Sequence, residues 1–210
     1  MRVRRKCVRC PLFCLPFFRP DVRKGHAIMK FLVFSDSHGQ TANMTKIVER
    51  DRGEIDAVLH LGDGAKEVLS LRSRYPDLPF YAVLGNCDGF DYQDYGIRQE
   101  LLLPVGDRKI FLCHGDRFFV QYGHDTLLRY AKQAGADAAL YGHLHIASER
   151  YYPADETQPQ DKPLLICSPG SISSPRDGLP SFGYLDVSDA GILFSVGRLE
   201  PSALRRRYTI

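Results

Sequence analysis

The chain of 210 residues contains no tryptophan, only three methionines and no large excess of either charge. Its 28 basic side chains nearly balance 25 acidic ones, and the net charge of +3 argues against a dedicated nucleic-acid binder. No apolar run approaches the roughly 20 residues of a membrane-spanning helix, so we expect no membrane partner. The three cysteines after residue 28 lie far apart, which argues against a disulfide scaffold and favours the reducing cytoplasm.

The first 28 residues differ in composition from the rest of the chain. They carry eight basic residues against the single acid Asp21, and Cys7, Cys10 and Cys14 form a CxxCxxxC pattern. As a metal site this pattern lacks a fourth nearby ligand, and as a signal peptide the segment lacks a small-residue cleavage site. We expect residues 1–28 to be a disordered tail, or an upstream start chosen in place of Met29. Residues 29–210 would then form one domain.

From residue 29 onward, strand and helix patterns alternate. Helical spacing of apolar side chains predicts helices just after residue 40 and over 65–74 and 125–134. Short apolar runs predict strands at 30–35, 56–61, 79–84, 98–105, 109–113, 136–141, 146–152, 163–167, 182–187, 191–199 and 205–209. This order predicts an α/β fold of two packed mixed β-sheets flanked by helices, a four-layer αββα sandwich.

Side chains suited to metal binding follow five of the predicted strands. Because the functional crevice of an open α/β sheet lies beyond the carboxyl ends of its strands, these side chains can converge. The candidate ligands are Asp36, His38, Asp63, Asn86, His114, His143 and His145. Seven ligands are too many for one ion but suit two ions that share a carboxylate. A mixed Asp/His/Asn set favours Mn²⁺, Fe²⁺, Co²⁺, Ni²⁺ or Zn²⁺, and the absence of thiolate ligands disfavours softer metals.

The motifs that carry these ligands resemble those of the calcineurin-like metallophosphoesterases. In order they are Asp-x-His at 36–38, Gly-Asp at 62–63, Gly-Asn-x-Asp at 85–88, His-Gly at 114–115 and Gly-His-x-His at 142–145. The short chain, the Gly-Asn-Cys-Asp form of the third motif and the Ser-Pro-Gly-Ser run at 168–171 are similar to the small YfcE-like phosphodiesterase branch. The resemblance covers roughly residues 29–200.

The resemblance implies a binuclear metal-dependent phosphodiesterase. A small phosphodiester would be hydrolysed by in-line attack of a metal-bridging hydroxide, with two divalent cations as cofactors and manganese preferred. The implied ligands are Asp36, His38 and His145 for the first ion, Asn86, His114 and His143 for the second, and Asp63 as the bridge. Assembly as a homodimer or a tetramer is compatible with this picture.

Other residues near the motifs receive further roles. Cys87 stands where many members of the superfamily carry a histidine that assists the leaving group, and a thiol is a poor substitute acid. We therefore predict a preference for aryl or strained cyclic phosphates. Asp88 is given a supporting catalytic role, chiefly to orient the loop or a ligand. Asn86 and Arg176 are candidate substrate-binding residues, and a structural ion pair is the competing interpretation for Arg176.

The remaining histidines are not counted as ligands. His60 lies inside a strand pattern and is expected in the core or behind the ligands, whereas His26 and His124 are expected at the surface. Two other functions remain open. One is a metal-binding scaffold or interaction protein of the same fold, like the retromer subunit, in which some ligands are replaced. The other is a phosphomonoesterase. The intact set of seven ligands favours an enzyme.

Overall fold

A computed structural model describes residues 28–157 and 161–200. The predicted tail apart from Ile28, together with the predicted strand over 205–209, lies outside the described residues. The helices within these ranges are α1 (Ala42–Asp51), α2 (Ala65–Arg74) and α3 (Asp125–Gln133). The strands are β1 (Ile28–Phe34), β2 (Ala57–His60), β3 (Phe80–Ala82), β4 (Glu100–Val105), β5 (Arg108–Cys113), β6 (Ala138–Leu140), β7 (Ala147–Tyr152), β8 (Leu164–Pro169), β9 (Ser181–Ser188) and β10 (Gly191–Arg198).

The strands form two mixed sheets of five strands each. In the first sheet the order is β10-β9-β1-β2-β3, with β1, β2 and β3 parallel and β9 and β10 antiparallel to their neighbours. In the second the order is β4-β5-β6-β8-β7, with β5, β6 and β8 parallel between two antiparallel edge strands. The predicted fold of two packed mixed sheets flanked by helices is confirmed.

Three apolar clusters hold the layers together. The cluster between the sheets includes Phe31 and Leu59 from the first sheet and Leu103 and Ile110 from the second. A second cluster packs α1 and α2 against the outer face of the first sheet, and a third packs α3 against the outer face of the second. Because each sheet buries both faces, its central strands are continuous apolar runs rather than alternating ones.

The parallel strands direct their carboxyl ends to one edge of the sandwich. Phe34, His60 and Ala82 are in register across β1, β2 and β3, and Leu112 and Leu140 are in register across β5 and β6. Each of the five ligand-bearing loops begins within four residues of one of these strand ends. The topology therefore brings together segments that are distant in sequence.

Some local features differ from the sequence-based expectations. Short 3₁₀ segments at 90–95, 116–118 and 120–122 were not predicted. His124 was expected at the surface but is half-buried, and its ring nitrogens lie 2.9 Å from the hydroxyl of Tyr152 and 3.0 Å from that of Tyr141. His60 is buried, as predicted. Within the described ranges, none of the helices is long and apolar enough to cross a bilayer.

Candidate metal centre

The backbone of the candidate ligands adopts a rare conformation. Among the described non-glycine residues, only Phe119 and five of the candidate ligands have positive φ angles. The five ligands are Asp36, His38, Asp63, His143 and His145, with φ between 43° and 68°. A residue in this region costs roughly 1–3 kcal/mol, and such strain persists only where the surrounding structure holds it in place. The concentration of this strain in one set of loops indicates a functional site.

Asp36 is a buried carboxylate with one unpartnered oxygen. Its Oδ2 accepts hydrogen bonds from Ser35 Oγ at 2.5 Å and from the backbone N–H of His143 at 3.1 Å. Its Oδ1 accepts no hydrogen bond, although it lies 3.1 Å from His145 Nε2. Asp36 is 0% exposed, and a buried charge without compensation costs several kcal/mol. A cation at Oδ1 would supply that compensation.

Two of the histidines are held so that Nε2 faces the carboxylates. His114 Nδ1 donates to the carbonyl of Leu61 at 2.7 Å, and His145 Nδ1 donates to the carbonyl of Ser174 at 2.6 Å. Because Nδ1 carries the proton in each neutral ring, the Nε2 lone pair is left free. Metal-binding histidines in proteins are usually oriented by a backbone bond of this kind. The geometry therefore fits metal ligation through Nε2.

The carboxylate of Asp63 lies between two histidines. Its Oδ2 is 3.9 Å from His38 Nε2 and 3.4 Å from His114 Nε2. The Nε2 atom of His38 also lies 3.2 Å from the Nε2 atom of His145, so two ring nitrogens face each other. Ligands of one cation at bond lengths near 2.1 Å have separations of about 3–3.5 Å. The distance from Asp63 to His114 falls in this range, and the distance from Asp63 to His38 is somewhat longer.

The structure brings the candidate ligands together to different degrees. Three groups have ligand atoms within 4.8 Å of one another: Asp36, His38 and His145; Asp36, Asp63 and His114; and His38, Asp63 and Cys87. Asn86 Oδ1 lies 3.1 Å from His114 Nε2, which adds an amide oxygen to the second group. The ring of His143 packs edge-on against His114 at 5.2 Å between centroids and belongs to none of the three groups.

The negative charges of Asp36 and Asp63 are balanced by a positive charge on a neighbouring group. Burial lowers the pKa of His114, but its contact with Asp63 and the charge of Asp36 outweigh burial and raise this pKa to about 9. Burial raises the pKa of Asp63, whereas His114 and the backbone N–H of Cys87 lower it below its ordinary value. With only protons available, His114 is thus protonated at neutral pH. A divalent cation bound by Asp36 and Asp63 could balance their negative charge in place of the proton on His114.

Asp88 binds the backbone of two of the ligand loops. Its carboxylate accepts hydrogen bonds from the backbone N–H groups of Asp63 at 2.8 Å, Gly64 at 3.1 Å, Ala65 at 2.9 Å and Gly85 at 2.9 Å. Two of these groups begin α2, where a negative charge is favoured by the helix dipole. Asp88 therefore joins the loops after β2 and β3, in agreement with an orienting role.

Cys87 and Arg176 reach solvent near the cluster. Burial and the neighbouring carboxylate of Asp63 raise the pKa of the exposed Cys87 thiol to about 11. The backbone N–H of Arg176 donates to the carbonyl of His145 at 2.9 Å, while its side chain is exposed. Within the described residues that side chain has no ion-pair partner closer than 4.0 Å, so the competing structural ion pair is not observed.

The Ser-Pro-Gly-Ser run supports the first ligand loop, a role that was not predicted. Ser171 Oγ donates to the backbone carbonyl of Asp36 at 2.9 Å, and Ser173 Oγ donates to the same carbonyl at 2.8 Å. The motif itself was visible in the sequence as a family feature. Its contact with Asp36 was not, because Ser171 and Asp36 are 135 residues apart in the chain and meet only in the folded protein.

The comparisons with known proteins agree with this geometry. Residues 29–190 match the model of the calcineurin-like phosphoesterase superfamily domain. The chain belongs to this superfamily. The probable metallophosphoesterase YsnB of Bacillus subtilis (strain 168) is 35% identical over 150 residues, which cover 70% of this chain and 78% of that protein.

Solved structures share the fold. A conserved uncharacterized protein and predicted phosphoesterase of Streptococcus pneumoniae TIGR4 matches with a TM-score of 0.65 and 26% identity, over 84% of this chain and 95% of that one. YfcE, a phosphoesterase from E. coli, matches with a TM-score of 0.53 and 21% identity, over 82% of this chain and 100% of that one. Zinc-complexed Vps29 of Entamoeba histolytica matches with a TM-score of 0.60 and 21% identity, over 81% of this chain and 98% of that one. At these lower identities, the last two show the fold alone.

Replacing Asp88 with asparagine tests its role in joining the loops. We expect Asp88→Asn to lower the free energy of unfolding by about 1–3 kcal/mol, because an amide NH₂ would face backbone N–H donors. Urea denaturation of the metal-free protein measures this loss. The control is Asp94→Asn at an exposed position, where we expect a change within about 0.5 kcal/mol. Equal losses in the two variants would contradict the role.

Gly85→Ala tests whether the position of Asp63 governs metal binding. A Cβ at residue 85 would overlap Oδ1 and the backbone nitrogen of Asp63, whereas a Cβ at Gly53 would meet nothing within 4 Å. We expect Gly85→Ala to weaken Mn²⁺ binding by at least about tenfold, as for other groups that orient a ligand. Gly53→Ala should leave it unchanged. Isothermal titration calorimetry gives the comparison, and unchanged affinity in Gly85→Ala would contradict the geometry.

Proposed function

We propose that this chain is a metal-dependent phosphodiesterase that acts on a small phosphodiester at a centre of two divalent cations. The observation that carries the proposal is a pair of buried carboxylates faced by the Nε2 atoms of three histidines. Asp36 Oδ1 has no hydrogen-bond partner, and Asp63 Oδ2 lies between His38 and His114. Membership of the phosphoesterase superfamily supports the reaction class.

The seven candidate ligands divide into two sets around Asp63. The assignment is Asp36, His38 and His145 for one ion, Asn86, His114 and His143 for the other, and Asp63 for both. The distances of Asp63 to His38 and His114 support the shared position. The ring of His143 lies beside that of His114, with 5.2 Å between centroids, which supports its place in the second set.

The donor set suits a transition metal. Imidazole nitrogens and carboxylate or amide oxygens favour Mn²⁺ and related ions over Mg²⁺ and Ca²⁺, and we propose Mn²⁺ as the ion that supports activity, with Fe²⁺, Co²⁺, Ni²⁺ and Zn²⁺ as the other candidates. When bound, two such cations lower the pKa of water at the site and neutralise charge on the phosphoryl group.

The chain's own residues would bind and orient the substrate. The exposed Arg176 is held by its backbone beside His145, and its free guanidinium can take a phosphate oxygen in a two-pronged contact. Asn86 is also exposed, and its amide faces His114 on one side and Cys87 on the other. We propose these two side chains as contacts to the phosphodiester.

Cys87 bears on the choice of leaving group. With its pKa raised to about 11, the thiol stays protonated at neutral pH but is a weak acid. A weak acid gives little help to an alkoxide leaving group, whereas an aryl oxide or a strained ring leaves without a proton. We therefore propose aryl or cyclic diesters as preferred substrates.

The scaffold alternative is the weaker one. A partner-binding surface does not require strained backbone at five candidate ligands or a buried carboxylate oxygen that awaits a cation. All seven ligand residues are also present in this chain. Free thiols at Cys87, Cys113 and Cys167 suit a reducing cytoplasm, which we propose as the location. A homodimer or a tetramer remains the proposed assembly.

Metal-dependent turnover is the direct test of the proposed activity. We expect metal-free protein to be inactive on bis(p-nitrophenyl) phosphate and Mn²⁺ to restore hydrolysis. Asp36→Asn should reduce kcat/KM by at least about 100-fold, because a direct ligand matters more than the groups behind it. The control is Asp107→Asn in the exposed β4–β5 turn. Bound metal without turnover of any diester would favour the scaffold, and faster turnover of monoesters would favour a phosphomonoesterase.

Leaving-group dependence tests the part assigned to Cys87. A working general acid contributes roughly 10²–10⁴ in rate, so its loss is large only where the leaving group needs a proton. We expect Cys87→Ala to change hydrolysis of aryl diesters by less than about tenfold. The rates of a series of diesters with leaving groups of increasing pKa measure this. If aryl and alkyl esters slow by the same large factor, the assignment is wrong.

A further inference from the structure

Cys87 brings a sulfur atom into the cluster of candidate ligands. Its Sγ, a ring nitrogen of His38 and a carboxylate oxygen of Asp63 all lie within 4.8 Å of one another. A thiolate ligand was not predicted, because the Gly-Asn-Cys-Asp motif gives no indication of where the Cys87 side chain points. In the folded chain this sulfur stands beside two residues of the proposed two-ion centre.

The position of Cys87 is fixed by its neighbours. Its backbone N–H donates to Asp63 Oδ1 at 2.7 Å, and the amide of Asn86 donates to its Sγ at 3.3 Å. The next residue, Asp88, binds the backbone of Asp63 and Gly85 and so ties the loop to the end of β2. The sulfur is therefore held next to Asp63 rather than carried on a free loop.

The chemistry of this group differs from that of the remaining ligands. One thiolate, one imidazole and one carboxylate are a donor set for Zn²⁺ or Cd²⁺, with a fourth position open to water. Tetrahedral bond lengths of 2.0–2.3 Å place ligand atoms about 3.5 Å apart, so modest side-chain shifts from the observed spacing would close the site. Cys87 is exposed, which gives an ion access from solvent.

A second observation points to a cation at this place. Asp36 Oδ1 is buried without a hydrogen-bond partner and lies 3.9 Å from His38 Nε2. A cation drawn to His38 therefore also lies near a buried carboxylate oxygen that accepts no hydrogen bond. The other two free cysteines of the described residues, Cys113 and Cys167, are 1% and 0% exposed in the apolar core and offer no such access.

We propose that His38, Asp63 and Cys87 form an inhibitory site for a soft divalent cation, Zn²⁺ or Cd²⁺. This inference rests on the proposed function in one respect, since His38 and Asp63 also belong to the two-ion centre. A cation held by the sulfur takes these two ligands out of the arrangement that activity requires. Mn²⁺ prefers nitrogen and oxygen donors and gains little from the thiolate.

Cadmium binding tests the site without reference to activity. The full-length chain should first carry Cys7→Ser, Cys10→Ser and Cys14→Ser, so that the CxxCxxxC pattern cannot bind the ion. We expect one equivalent of Cd²⁺ added to the metal-free protein to produce a thiolate-to-cadmium charge-transfer band in the ultraviolet. Adding Cys87→Ser should abolish this band, and circular dichroism confirms that the variant is folded.

Zinc inhibition tests the consequence of the site. In the same background loaded with Mn²⁺, we expect Zn²⁺ to inhibit hydrolysis of bis(p-nitrophenyl) phosphate. Cys87→Ser should raise the Zn²⁺ concentration for half-inhibition by at least about tenfold, because loss of a direct ligand exceeds the effect of losing a partner behind one. The ratio is taken against the variant's own uninhibited rate, which removes any direct effect of Cys87 on turnover.

The outcomes separate this inference from the proposed function. The inhibitory site is wrong if the cadmium band persists in Cys87→Ser. It is also wrong if the protein that keeps Cys87 gives no band while its Mn²⁺ binding and hydrolysis are intact, and in that case the phosphodiesterase stands. An unchanged half-inhibition by Zn²⁺ in Cys87→Ser overturns the inhibitory role. If Cd²⁺ gives the band but Mn²⁺ supports no hydrolysis, the soft-cation site is present and the proposed function fails.

Discussion

Two buried carboxylates, Asp36 and Asp63, set the conditions for the rest of the site. They are 0% and 4% exposed, and the groups that face their outer oxygens are histidine rings rather than lysine or arginine side chains. Without a cation, protons on His114 and His145 must offset their charge, and the pKa values of both histidines are raised accordingly. With divalent cations, the same rings can bind through Nε2. The two buried carboxylates therefore need positive charge beside them, either on protonated histidines or on bound cations.

The buried charges and the strained backbone of the site are confined to one edge of the sandwich. The space between the sheets is filled by apolar side chains, so the polar and strained residues are confined to the loops beyond the parallel strands. Ser35, Asp88 and Ser171 fix these loops by bonds to Asp36, Gly85 and neighbouring backbone groups. A rigid sandwich thus supports a site whose backbone would be unfavourable in a flexible chain.

Much of the fold could be predicted because its signals are local. The apolar runs that predicted β1, β2 and β5 lie within two residues of the observed strands, and the helix over 65–74 coincides with α2. The candidate ligands followed from residue type and from their place after strands. What could not be predicted depends on contacts between distant loops: the sulfur of Cys87 beside His38, the half-buried ring of His124, and the position of His143 outside the ligand groups.

The central claim is that Asp63 lies between two ions. A crystal of the protein grown with Mn²⁺, measured by anomalous diffraction at the manganese absorption edge, tests it most directly. The account predicts two anomalous peaks about 3.5–4 Å apart, with one carboxylate oxygen of Asp63 within bonding distance of both. A single peak, or two peaks of which neither touches Asp63, would contradict it.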